Sequence, residues 1–298
     1  MKHSIVLAVI ALQAAAASCS KETVNEVTNP EQPTAPVTVR VNDFSISQED
    51  LPDGSTRAAQ NVGGYNGVKV IDLAFYAGTT EVYKHTQLKD DNTTYTTFGE
   101  FSCNLPIGTY TMVAIARGYS AGDVFTLTSP TEAAYTTERA RETFCATQSV
   151  TVTATGANVS VTLNRVMAQL FIRSTEVVPD GVAKIRTTYA AGSKSFDPTS
   201  GLATDDNGFS LTNSITKNND GKLNVSSFVF LTTDEQTMNI TIEVLNADND
   251  VLYTKVVSNV PLKRNRRTYL NGALFTAAAS TATFQVETDW LEENTVNF

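Results

Sequence analysis

Residues 37–46 read VTVRVNDFSI, with apolar side chains at Val37, Val39 and Val41 and polar ones between them. Such alternation belongs to a strand with one buried face, because successive side chains of a strand point to opposite faces. The β-branched content favours the same reading.

The pattern recurs along the chain. Residues 68–76 (VKVIDLAFY) form a mostly apolar run fit for a central strand, and 108–116 (GTYTMVAIA) form another, entered through the turn LPIG at 105–108. Residues 149–155 and 158–163 alternate and are joined by a short connection through Gly156, and 166–174 (VMAQLFIRS) continue the pattern. The second half adds 182–189, 228–232, 239–246, 251–257 and 268–275, separated by turn clusters such as DPTSG at 197–201 and NNDG at 218–221. Strands at this spacing argue for antiparallel sandwiches. They are too many for one sandwich, so a boundary near residues 165–173 divides an N-terminal domain, 37–165, from a C-terminal domain, 166–298. The halves share a pattern but no residue-level repeat. One short helix is expected within 129–146, where Glu132, Ala133, Ala134, Glu138, Ala140 and Glu142 favour it and Pro130 suits a first turn.

The start of the chain reads differently. Lys2 and His3 precede an apolar run of about 12–13 residues, short of the roughly 20 that span a bilayer as a helix. It reads as a signal peptide over residues 1–18. Small residues then lead to Cys19, as in a bacterial lipoprotein box whose cysteine is acylated, although Ala16 stands where that box usually has Leu. An ordinary signal peptide followed by an incidental cysteine is the competing reading. Residues 19–36 are polar and hold three prolines, which suits a flexible tether.

Composition narrows the chemistry. The chain has 298 residues, 41% of them hydrophobic, and a formal net charge of −9, so there is no basic footprint for nucleic acid. The one dense cationic cluster, KRNRR at 263–267, reads as a solvated turn, a protease-sensitive site or a patch for an acidic partner. His3 leaves with the signal peptide, so His85 alone would have to serve a histidine-based triad, and its polar surroundings suit an exposed side chain. Zinc sites need several Cys and His ligands, and the acidic turns at 205–208 and 218–221 lack the EF-hand order. No phosphate-cradling loop occurs. No catalytic residue, metal or cofactor is assigned, and an enzyme is not expected; a hydrolase built on loop carboxylates is the remote alternative. Cys103 and Cys145 are an even pair in an oxidising envelope and form either a disulfide or two buried thiols.

Three stretches carry a resemblance. LPIGTYTMVAIA at 105–116 resembles an "L-x-x-G-x-Y" strand entry, LNRVMAQLFI at 163–172 resembles an "L-x-R-x-x-A-x-L" element, and VPLKRNRRTYLNG at 260–272 followed by 284–290 resembles a C-terminal region. Together with the lipoprotein box they resemble the fimbrillins of Bacteroidales, the subunits of type V pili.

The resemblance implies two transthyretin-like β-sandwich domains in tandem and a lipoprotein exposed at the outer membrane. It implies an Arg-specific protease that cuts after an N-terminal strand, here 37–46. Within LPDGSTRA at 51–58 the bond between Arg57 and Ala58 is the expected cut, in a loop of the kind proteases nick. Loss of the strand opens a groove that a neighbour's C-terminal strand fills. Residues 282–290 are the expected donor, with Phe284, Val286, Thr288 and Trp290 as its site residues. Partners are then other fimbrial subunits of the same or another kind. An uncut Arg57 would leave an anchor or tip subunit rooted by Cys19. The reading from a different class is a monomeric surface lipoprotein binding glycan or host protein.

Overall fold

The computed structural model describes residues 33–45 and 59–276, apart from 92 and 94. The signal peptide, Cys19, Arg57, Ala58 and the donor residues Phe284, Val286, Thr288 and Trp290 lie outside the described residues. Every element described is a strand. The first half contains β1 (Thr34–Ser45), β2 (Ala59–Asn61), β3 (Val70–Ala77), β4 (Thr80–Leu88), β5 (Glu100–Pro106), β6 (Gly108–Arg117), β7 (Phe125–Ser129), β8 (Glu132–Tyr135), β9 (Thr143–Val152) and β10 (Ala157–Arg165). The second contains β11 (Ala168–Val177), β12 (Lys184–Tyr189), β13 (Ser195–Asp197), β14 (Leu202–Ala203), β15 (Phe209–Ser214), β16 (Lys222–Val229), β17 (Glu235–Leu245), β18 (Val251–Lys263) and β19 (Arg267–Gly272).

The helix expected within 129–146 is absent. Its Ala- and Glu-rich residues form β8, which pairs with β7 on one side and β13 on the other. Ala133 and Tyr135 are buried while Glu132 is exposed. That period of two, enforced by packing, overrides a helix propensity worth only tenths of a kcal/mol per residue.

In the first half, β9, β6, β3 and β4 form one wall and β10, β1, β5 and β2 the other. The walls join at a corner where β10 meets β9 through only Asn164↔Cys145 and Arg165↔Phe144. Between them lies a core that includes Val39, Phe44, Leu73, Phe75, Met112 and Phe144. The second half packs the sheet β16-β11-β19 against β15-β12-β17-β18 around Leu170, Ile185, Ile240, Ile242, Val244 and Leu270.

The two halves share a topology. In each, the first strand runs parallel to the last (β1 to β10, β11 to β19) and antiparallel to a middle strand (β5 or β16). They are joined by the sheet β14-β13-β8-β7, drawn from both halves. Beneath it a third apolar cluster gathers Tyr76, Ile115, Tyr135, Met167, Phe196 and Phe230.

Candidate functional site: the seat of the first strand

β1 is hydrogen-bonded along both edges. Val37 to Ser45 pair in parallel with Ala157 to Asn164 of β10. On the other edge Thr34 to Arg40 pair with β5 and Asp43 to Ser45 with β2. Ala35, Val37, Val39, Val41 and Phe44 point into the core, and none is more than 5% exposed. Burying a Val or Phe side chain contributes roughly 1.5–3 kcal/mol, so the strand is held mainly by its inward face.

The alternation breaks after Val41, which pairs Val161, whereas Asp43 pairs Thr162 and Phe44 pairs Leu163. Asn42 is therefore the extra residue of a β-bulge. The bulge returns Phe44, rather than Asp43, to the inside. Without it the strand would bury a carboxylate at that point.

Two glycines let neighbouring backbone come close. Gly156 has φ +91°, and a Cβ there would stand 2.1 Å from the Pro36 carbonyl oxygen. Gly99 has φ +93°, with its carbonyl accepting from the Val41 N–H at 2.9 Å and its own Cβ position 3.1 Å from the Val41 oxygen. Outside, Arg40 makes an exposed ion pair with Glu100 at 3.2 Å, worth little in solvent.

Phe44 ends in an aromatic slot. Its ring lies 4.6 Å from that of Phe144 and 5.7 Å from that of Tyr65. The Tyr65 hydroxyl donates to Glu142 at 2.6 Å and accepts from Arg165 at 3.1 Å. Arg165 also lies 4.6 Å over the Phe144 ring and donates to Asn265 Oδ1 of the second half at 2.9 Å. Burial, then the nearby Glu142 carboxylate, pushes the Tyr65 phenol up to about 12. The end of β1 thus sits on a buried ionic cluster at the junction of the halves.

The motif residues have structural work here. Leu105 is buried in the first core, and the Tyr110 hydroxyl donates to the Pro106 carbonyl at 2.8 Å, closing the turn between β5 and β6. In the 263–267 cluster, Lys263 and Arg264 pair with Glu235 and Asp234, each at 2.5 Å, and Arg266 is buried. Arg267 donates to Gln169 at 3.2 Å.

Cys103 and Cys145 are thiols and do not form a disulfide with each other. Cys103 packs at the margin of the first core, whereas Cys145 belongs to the cluster between the halves and donates to the Pro198 carbonyl at 3.4 Å. Burial pushes the Cys145 thiol up. His85 lines a half-open cleft of about 410 Å³ between β4 and β5 with Tyr83, Tyr95, Glu100 and Phe101. Burial lowers its pKa. Among the described residues no group of three or more His, Cys, Asp or Glu is placed to hold a metal.

Sequence reading placed β1 but missed the slot beneath Phe44. Its available signal was the step from Val41 to Phe44, three residues where two would continue the alternation. Arg165 was noticed as part of a motif, but its partners Tyr65, Glu142 and Asn265 are scattered along the chain and carry no local pattern.

No curated protein sequence matches the chain. Among solved structures it is similar to a Bacteroides ovatus protein proposed as an adhesin, at 12% identity and TM-score 0.49 over 76% of this chain and 83% of that one. It is also similar to the fimbrial anchor protein Mfa2 of Porphyromonas gingivalis, at 8% identity and TM-score 0.44 over 75% and 82% of the two chains. A fimbrial assembly protein of Parabacteroides distasonis aligns at 10% identity and TM-score 0.36 over 81% and 91%. Residues 33–297 match the model of the family of unknown function DUF6562, and the chain belongs to that family.

Proposed function

We propose that the chain is a structural subunit of a surface fimbria, delivered as a lipoprotein through Cys19 and assembled by β-strand addition after a cut between Arg57 and Ala58. One observation carries this reading. β1 is a core strand with both edges paired, yet its only chain connection to the folded body is the segment 46–58, which contains Arg57. A cut there would leave β1 held by non-covalent contacts alone. Its departure would uncover an apolar groove between two strand edges, a template for β-augmentation. The same cut would part the body from its lipid.

The motifs at 105–116, 163–172 and 260–272 support the fimbrillin reading from the sequence side. Partners are then other subunits, the outer membrane through the lipid, and an arginine-specific protease. Adhesion would be the task of the assembled polymer.

Mass spectrometry of protein extracted from the cell surface tests the proposal. An N-terminus at Ala58 and ladders in unheated gels that vanish on deletion of residues 281–298 are expected. Ladders unchanged by that deletion would sink strand addition. An acylated Cys19 on all of the surface protein would make the chain a permanent anchor instead.

A further inference from the structure

We infer that the cleft between β4 and β5 is a binding site for a neutral saccharide, with the Tyr95 ring as its stacking platform and His85 as the partner of its hydroxyls. This goes beyond the reading above and does not depend on it, because the cleft is formed while β1 is in place.

The cleft follows from how the first half closes. Among the described residues β4 pairs only with β3 and β5 only with β1, so both present an unpaired edge to the gap between them. Side chains two residues apart share one face of a strand. On β4 the face toward the cleft carries Tyr83, His85 and Gln87, and on β5 it carries Phe101 and Cys103. Tyr83, Gln87 and Phe101 are buried and make the floor, whereas His85 and Cys103 are half-buried nearer the opening. The space is about 410 Å³. Small-molecule sites run from about 300 to 1,000 Å³, so a mono- or disaccharide suits it.

Gln87 argues against a strand as the occupant. Its Nε2 donates to the Glu100 carbonyl at 2.7 Å, and its Oε1 accepts from the Gly99 N–H at 2.8 Å. This amide ties the two edges together at one end. A peptide paired along the edges would have to break the tie to pass it, leaving a buried amide without partners.

Tyr95 supplies the ring. Its hydroxyl is shared between the carbonyls of Leu88 at 2.9 Å and Lys89 at 2.7 Å, and its ring lies 5.7 Å from that of Phe98. The hydroxyl is therefore spent on backbone, and the ring is fixed before a ligand arrives. Such pre-organisation lowers the ordering cost of binding. The electron-rich face of an aromatic ring suits the polarised C–H groups of a pyranose.

The polar lining matches hydroxyls rather than charge. His85 stands edge-on to Phe101, with 6.0 Å between the rings. A neutral imidazole donates at one nitrogen and accepts at the other, as two adjacent sugar hydroxyls require. Burial lowers the His85 pKa and so favours that neutral form. Thr96, Thr97 and Ser102 add hydroxyls at the exposed rim. Among the described residues no Lys or Arg lines the cleft, and the one carboxylate lining it, Glu100, is already paired with Arg40. An anionic sugar therefore gains no counter-charge there.

The test uses the uncut Cys19→Ser chain. The probes are the methyl glycosides of glucose, galactose, mannose and N-acetylglucosamine, the disaccharides cellobiose, maltose, lactose and chitobiose, and methyl glucuronide. At least one neutral probe should saturate with a Kd on the order of 1 mM or tighter, and it should slow thiol labelling of Cys103 in step with occupancy. Tyr95→Ala and His85→Phe should each weaken that probe by about tenfold or more, whereas Tyr95→Phe keeps most of the affinity. Variants are compared at an unchanged unfolding midpoint, and the Cys103 reading needs no change in the cleft. Saturation by no neutral probe overturns the inference. Saturation that leaves Cys103 labelling unchanged puts the sugar elsewhere and overturns the site. Tighter binding of methyl glucuronide than of the neutral glycosides overturns the ligand class. Protection of Cys103 by an extended Thr–Val peptide and by no sugar makes the cleft a strand acceptor instead. None of these readings uses ladders, so failure here and failure of strand addition are told apart.

Discussion

The guanidinium of Arg165 lies 2.8 Å from the carboxylate of Glu142 with its side chain wholly buried, and the same guanidinium reaches Asn265 of the second half. The pair joins the seat of β1 to the junction of the two halves. Removing one partner of a buried pair strands the other charge away from water, at a cost of about 3–5 kcal/mol. Arg165→Met should therefore lower the unfolding free energy by that amount, read as a lower denaturant midpoint with little change in slope. Replacing both, as in Arg165→Met with Glu142→Leu, should recover much of the loss. If the double variant is as unstable as the single one, the cluster contributes by packing rather than by charge.

The same cluster sets an alkaline limit. The folded state raises the Tyr65 phenol to about 12, by burial first and then by Glu142, against about 10 in an unfolded chain. Burial raises Tyr76, Tyr135 and Tyr189 as well. The fold thus favours the neutral phenols. Their contribution is fully present below pH about 10 and is lost as pH rises through the folded value, because the unfolded chain ionises first. Denaturant midpoints should be level from pH 8 to about 9.5 and fall steadily toward pH 12. Tyr65→Phe should start lower and decline less steeply. Equal slopes for the two proteins would show that Tyr65 does not contribute.

Much of the fold was legible where one face of a strand is buried and the other wet, as in Val37 to Val41, or where both faces are buried and the run is mostly apolar, as in Val70 to Tyr76. Edges were less readable. β4 (TEVYKHTQL) shows little alternation because only Tyr83 and Gln87 along it are buried. β8 was misread because its Ala and Glu favour helix in isolation, and only its pairing with β7 and β13 makes it a strand. The site divides in the same way. The first strand follows from local pattern, but its aromatic slot depends on Phe44, Tyr65 and Phe144, which only the folded chain brings together.

Thiol chemistry should separate the two body cysteines. Cys145 is buried with its thiol pushed up, so little thiolate forms and reagents reach it poorly. Cys103 lines the cleft between β4 and β5 and is half-buried. In a Cys19→Ser chain at pH 8, a thiol reagent should modify one group in the native state and two after denaturation. Peptide mapping should assign the fast site to Cys103. Fast native labelling of Cys145 would mean that the cluster between the halves opens readily.

Gly156 should govern how firmly β1 stays in place. Its turn passes against Pro36 so closely that a Cβ would stand 2.1 Å from a backbone oxygen, and its φ of +91° is one that other residues rarely adopt. Gly156→Ala must move either the turn or the start of β1. The strained backbone alone costs about 1–3 kcal/mol. Much of that cost should fall on the contact with β1, because relief is available by letting residues 34–36 peel from β5. After cleavage at Arg57, the variant should release the β1 peptide faster than wild type, as read by size-exclusion chromatography of the cut protein. Gly78→Ala is the matched control, since Gly78 also has positive φ but nothing stands within 4 Å of its Cβ position. Equal release rates in the two variants would assign the effect to general destabilisation and leave Gly156 without a special hold on β1.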